Sequence, residues 1–199
     1  MLPDWISPWW QAACLPEKWD VCGVTVPSLS VWHMFALENI GNRYVCYGKP
    51  TRDDVASLLL FAQHDHKGGL KLLHRPNYRA RCMARMFRKI RKQDMEFMDA
   101  ACREYVDSCT RIPQRWQKGG TTGSGTSAPC SMHLLRILCA DYNMDIEDGW
   151  NTPFSFARIL YDAHAESVGD TSIAKPEHEA LADENIAKGI DVEHPAGVN

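Results

Sequence analysis

Residues 131–169, SMHLLRILCADYNMDIEDGWNTPFSFARILYDAHAESVG, predict two short helices hinged at residues 148–153. Each helix carries apolar residues three to four positions apart, the period of a helix with one buried face. Thr152 can cap the second helix, and Pro153 fits its first position because no N–H is needed there. We therefore expect the two apolar stripes to pack together as a helical hairpin. The stripes consist of Leu134, Leu135, Leu138 and Tyr142 in the first helix and of Phe156, Ala157, Leu160 and His164 in the second.

An amphipathic helix is predicted near the start of the chain. Ser28 or Ser30 can cap it, and Gly41 suits its C-terminal end. The residues before it, 15–26, are interrupted by Pro and Gly and are expected to form a loop with at most a short extended piece. The apolar positions that recur at helical spacing are Leu29, Trp32, His33, Ala36, Leu37 and Ile40.

A second helix is predicted to begin after Thr51. Thr51 and Asp54 have the spacing of a capping box, with Asp in place of the usual Glu. The apolar stripe that follows ends in the polar residues 63–66, and the glycines at 68–69 are expected to stop the helix.

The longest helical signal covers residues 77–109, which contain no internal Gly or Pro. Near Gln93 and Asp94 the apolar residues shift to a different side of the predicted helix. The segment therefore either breaks there or continues as one helix about 50 Å long. We favour the single helix, which would serve as a spine for the others.

The pattern as a whole indicates an all-α protein: a small multi-helix bundle with one long central helix and a C-terminal helical hairpin. The predicted divisions are an N-terminal helical region (1–110) whose long helix runs from basic to acidic, a flexible Gly/Ser/Thr-rich linker (111–130), the hairpin (131–169) and an acidic, partly disordered tail (170–199).

Composition favours a cytoplasmic protein. The chain has 45% hydrophobic residues and a net charge of −3. It lacks a basic region followed by an apolar run at its start, and no stretch reaches the roughly 20 apolar residues of a membrane span. Its eight cysteines occur singly, which favours reduced thiols.

Residues 75–92 contain eight basic residues and no acid, at the N-terminal half of the predicted long helix. Cations near the N-terminus of a helix interact unfavourably with the helix dipole, so we expect solvent or negative charge from elsewhere to offset them. We favour a solvated face or one paired internally with the acidic residues 170–199; an acidic protein partner and a nucleic acid are the alternatives. The residues that would contact nucleic acid are Arg79, Arg81, Arg85, Arg88, Lys89, Arg91 and Lys92.

No motif for catalysis or for a cofactor emerges, so we expect a protein that is not an enzyme and uses neither cofactor nor metal. His64, His66 and His74 are the best metal candidates, but on a helix the first two point about 200° apart, and a polar helix end is favoured. The glycine-rich residues 121–126 follow no predicted strand and lack the Gly-Lys-Ser/Thr of a phosphate loop, so a linker is favoured there.

Two stretches resemble the tail assembly chaperones of long-tailed bacteriophages, which are small all-helical proteins. The first stretch is VTVP at residues 24–27, followed by a helix and Gly-Asn at 41–42. The second is the hairpin, with its short acidic turn, Trp-Asn-Thr-Pro and a second helix bearing Ala and Glu before Gly169. The likeness is carried by Leu29, Ala36, Leu37, Glu38, Leu134, Leu135, Leu138, Tyr142, Trp150, Pro153, Ala157, Leu160, Ala165, Glu166 and Gly169.

The resemblance implies a non-enzymatic role in a phage or prophage. Such a protein binds apolar helices of the tape-measure protein until tail-tube subunits assemble around them, and self-association is a further expectation. A surface rich in Met and aromatic residues can adapt to varied apolar helices. The expected contact residues are Met83, Met86, Phe87, Met95, Met98, Trp150 and Phe154. The basic helix departs from the family's pattern and keeps a nucleic-acid-binding or packaging accessory protein as the alternative.

Overall fold

The computed structural model of the chain describes residues 18–110, 115–117, 129–168 and 171–173, together with residues 184 and 188. This part is mostly helical, which confirms the predicted class. Its helices are α1 (Val31–Asn39), α2 (Arg52–Ala62), α3 (His66–His74), α4 (Pro76–Ile90), α5 (Met95–Thr110), α6 (Cys130–Ala140), α7 (Ile146–Asn151) and α8 (Phe154–Ser167). Within these ranges, no helix is both long and apolar enough to cross a membrane.

Two small antiparallel sheets accompany the helices. Strands β1 (Trp19–Val21) and β2 (Val24–Val26) form a hairpin in which Trp19 pairs with Val26. Strands β3 (Arg115–Gln117) and β4 (Thr171–Ile173) pair across more than 50 residues of chain. The sequence predicted neither sheet, only a loop with at most a short extended piece at residues 15–26, because three-residue strands carry little periodic signal.

The first two helices begin where their caps predict. The Ser30 hydroxyl accepts a hydrogen bond from the His33 N–H, and the ring of His33 accepts one from the Ser30 N–H. Thr51 and Asp54 form the same reciprocal box at α2. Gly41 takes a φ of +67° just after α1, as a helix C-terminus favours.

The predicted stop at Gly68 and Gly69 is wrong, since both residues lie inside α3. Asp65 begins this helix by accepting a hydrogen bond from the Gly68 N–H at 2.8 Å. A Cβ on Gly69 would lie 2.5 Å from Cζ2 of Trp32. Glycine is therefore required there for the close approach of α3 to α1 and does not act as a helix terminator.

The predicted single spine of residues 77–109 is also wrong, because the chain leaves the helix at residues 91–94. The Arg52 guanidinium donates to the backbone oxygens of Arg91 at 3.2 Å and Gln93 at 3.1 Å, which satisfies carbonyl groups at the end of α4. Asp94 then begins α5 by accepting from the Glu96 N–H at 2.8 Å. The slip in the apolar stripe thus marks a true break.

The C-terminal hairpin forms, with an additional short helix, α7, between its two arms. Thr152 is the C-terminal cap of α7, and its hydroxyl donates to the Asp148 carbonyl at 2.8 Å; its predicted role as the cap of α8 stays a prediction. Leu134, Leu138 and Ala157 are buried as predicted. Two stripe residues lie outside instead, since Tyr142 is 39% and Phe156 is 38% exposed.

The hairpin and the N-terminal region share one hydrophobic core. At their junction the Val31 N–H donates to the Thr152 carbonyl at 3.0 Å, and the Phe154 N–H donates to the Leu29 carbonyl at 2.8 Å. Ser30 and Pro153 pair between these two bonds. We call this contact between residues 29–31 and 152–154 the junction. The junction holds the first turn of α1 next to the first turn of α8.

Candidate interaction surfaces

A continuous run of basic residues covers the outside of α3 and α4. It contains ten of the chain's 22 Lys and Arg residues and no acid. We call it the basic surface, and its members are Lys67, Lys71, Arg75, Arg79, Arg81, Arg85, Arg88, Lys89, Arg91 and Lys92. All of them are exposed except Arg79, which is half-buried.

The amphipathic pattern of α4 explains why the surface forms. Met86 and Ile90 are buried in the core, and α4 packs through this side against α2 and α3. The side of α4 opposite these two residues faces solvent and carries most of the cations. The first turn of α4 contains no acid, and its N-cap residue, Arg75, makes no side-chain capping bond. The helix dipole therefore receives no favourable charge from that turn.

The seven residues predicted to contact nucleic acid all lie on this surface. None of them makes an ion pair with any residue in the part of the chain that the structure describes. The acidic residues proposed as their internal partner, 170–199, fall almost entirely outside the described ranges. Whether they cover the basic surface stays a prediction.

A cluster of aromatic rings lies where α1, α3 and α7 meet. Trp32 packs edge-on against Trp150, with ring centroids 6.0 Å apart, and Phe35 lies 5.2 Å from Trp150. The His66 ring stacks on Trp150 at 5.4 Å. We call these four residues the aromatic cluster. They fill the space between the helices, so their geometry is that of packing rather than of an open pocket.

A histidine–carboxylate pair closes one side of the aromatic cluster. Nδ1 of His66 and Oε2 of Glu147 are 2.9 Å apart, and this hydrogen bond lowers the pKa of the Glu147 carboxyl. The side-chain oxygen of Asn151 accepts a hydrogen bond from the backbone N–H of His66, and its side-chain nitrogen donates one to the Glu147 carboxylate. Sequence reasoning missed the pair, since 81 residues separate its members and neither has a local signal.

The three histidines considered as metal ligands are not brought together. His64, which follows the end of α2, has its Nδ1 2.9 Å from the Leu60 carbonyl, whereas His66 faces Glu147. His74 is exposed at the end of α3. Among the described residues, no group of three or more His, Cys, Asp or Glu side chains could hold a metal ion.

The residues predicted to bind an apolar partner fall into two groups. Four are buried in the core: Met86, Met98, Trp150 and Phe154. Three are half-buried at its edge: Met83, Phe87 and Met95. A partner could reach the first group only if the core opened, because none of those residues is more than 8% exposed. The role of all seven in binding stays a prediction.

Comparison with known proteins returns no match: no protein family, curated protein or solved structure corresponds to this chain.

Proposed function

We propose that this chain is a non-enzymatic tail assembly chaperone of a long-tailed bacteriophage or prophage. It would bind apolar helices of a tape-measure protein in the cytoplasm of the host cell. The observation that carries the proposal is the junction, which joins the two stretches that resemble the family. The paired residues of these stretches are more than 100 positions apart in sequence, yet their backbones pair directly. They therefore belong to one structural unit.

The surface that would receive an apolar helix includes the half-buried side chains of Met83, Phe87 and Met95. Met83 and Phe87 are four residues apart on α4 and so share one face of that helix. Methionine adapts its shape to different apolar partners, and phenylalanine contributes a large apolar area at small entropic cost. Binding there would not require the core to open.

Co-expression with the tape-measure and tail-tube proteins of the same genome tests this proposal. The wild-type chain should raise the soluble fraction of the tape-measure protein several-fold. The double variant Met83→Gln/Phe87→Gln should lose most of that effect, because polar groups on the receiving surface would have to be desolvated. Met132→Gln, on an exposed residue of α6, is the matched control and should retain the effect.

Two outcomes would contradict the proposal. One is a soluble fraction of the tape-measure protein that does not change when the wild-type chain is present. The other is a genomic neighbourhood without tail-tube and tape-measure genes.

A further inference from the structure

The basic surface has no role in the chaperone proposal, and its charge stands out against the rest of the chain. The whole chain carries −3, so attraction to a polyanion must come from this surface and not from the overall charge. We propose that the basic surface binds duplex DNA, with the exposed side of α4 in the major groove and its arginines on the phosphates. The inference does not rest on the proposed chaperone function.

The first argument is the arrangement of the arginines on α4. Arg81, Arg85 and Arg88 follow at intervals of four and three residues, which places them within about 60° of one another around the helix. This stripe lies on the side of α4 opposite the buried residues Met86 and Ile90. The buried side of α4 therefore anchors the helix to the core, while the three arginines point away from the protein.

The second argument is that the guanidinium groups are partly oriented and still have donors to offer. Arg81 Nε donates to the Asn77 carbonyl at 3.3 Å, and Arg88 Nε donates to the Ala84 carbonyl at 3.2 Å. Each bond uses one of the five N–H donors of an arginine. The remaining four can meet a phosphate in the bidentate geometry that guanidinium favours.

The third argument concerns the shape and charge of the partner. The 15 residues of α4 extend for about 22 Å, and a helix of about 10–12 Å diameter fits the roughly 12 Å width of the B-DNA major groove. The deep, narrow major groove of duplex RNA does not admit it. DNA also presents closely and evenly spaced charge, which matches a cationic run that no acid interrupts. An acidic protein would need an equally unbroken run of carboxylates.

Fluorescence anisotropy with the full chain and a labelled DNA duplex of about 20 base pairs tests the inference between about 50 and 200 mM salt. The stripe variant Arg81→Gln/Arg85→Gln/Arg88→Gln should bind at least about tenfold more weakly at 100 mM salt, and the slope of log K against log salt should fall by about 2–3. The control Lys18→Gln/Lys49→Gln/Arg136→Gln removes the same charge from exposed positions elsewhere and should keep nearly the wild-type slope. Circular dichroism of each variant checks that its helices are retained.

Several results would overturn the inference. The wild-type chain could fail to bind DNA at 50 mM salt, or the stripe and control variants could lose equal affinity. Tighter binding to duplex RNA or to single strands would refute the placement of α4 in a major groove. Competition by polyglutamate as effective as that by DNA of equal charge would instead indicate an acidic protein partner.

Discussion

The side chain of His33 links the cap of α1 to the end of α2. Its Nδ1 accepts from the Ser30 N–H at 2.8 Å, and its Nε2 lies 2.9 Å from the His64 carbonyl. Because a carbonyl oxygen can only accept, Nε2 carries the proton, and the ring is neutral when both bonds are made. Burial lowers the pKa of His33 from 6.5 to about 4.

This lowered pKa predicts how stability depends on pH. Between pH 4 and 6.5 the unfolded chain binds a proton at His33 that the folded chain does not. The contribution of a neutral His33 is therefore complete above about pH 6.5 and decreases as the pH falls toward 4. The difference between a pKa of 6.5 in the unfolded chain and about 4 in the folded chain corresponds to about 3 kcal/mol in the free energy of unfolding. Urea denaturation across this range should show a steeper pH dependence for the wild type than for His33→Gln.

Glutamine at position 33 can still donate and accept hydrogen bonds but does not titrate in this range. His74→Gln, at an exposed position on α3, is the control and should keep the wild-type pH dependence. An unchanged pH dependence in His33→Gln would contradict the prediction.

At the scale of elements, the sequence predicted helix starts better than helix ends. The boxes at Ser30 and Thr51 depend on residues three positions apart, so a short window of sequence contains the whole signal. The break after α4 depends on Arg52, about 40 residues away, and the glycine inside α3 depends on Trp32. The shift of the apolar stripe near Gln93 did mark the place of that break, but neither of these long-range contacts has a local signal in the sequence. For the same reason the aromatic cluster was not predicted, whereas the run of basic residues at 75–92 indicated most of the basic surface.

Arg52 should stabilise the break between α4 and α5. In Arg52→Met, the backbone oxygens of Arg91 and Gln93 would lose a charged donor. We expect the free energy of unfolding to fall by about 1–3 kcal/mol, as measured by chemical denaturation. Arg81→Met is the control, because Arg81 is exposed and, among the described residues, its guanidinium bonds to its own helix alone; it should change stability by less than about 0.5 kcal/mol. Equal effects of the two substitutions would argue against a special role for Arg52.

At the scale of the whole molecule, α1 is the helix that both parts of the chain need. Six of its nine residues are buried, and they point in all directions around its axis. It packs against α2 on one side and against α6, α7 and α8 on others. The Ser131 hydroxyl also donates to Glu38 of α1 at 2.6 Å. The sequence predicted a linker at residues 111–130 between the two parts. It did not predict that the two parts share one hydrophobic core through α1.

A chain ending at Thr110 should therefore not fold cooperatively. Without α6–α8, several apolar side chains of α1 would meet water, and each fully buried one contributes about 1.5–3 kcal/mol. Three such losses reach about 5–9 kcal/mol, comparable with the about 5–15 kcal/mol that stabilises an ordinary domain. We expect thermal denaturation followed by circular dichroism to show a broad, shallow change for residues 1–110, with binding of a hydrophobic dye. A chain ending at Ile173 keeps α1–α8 and should unfold in one sharp transition. A sharp transition in the shorter chain would instead mean that residues 1–110 form a domain that folds independently.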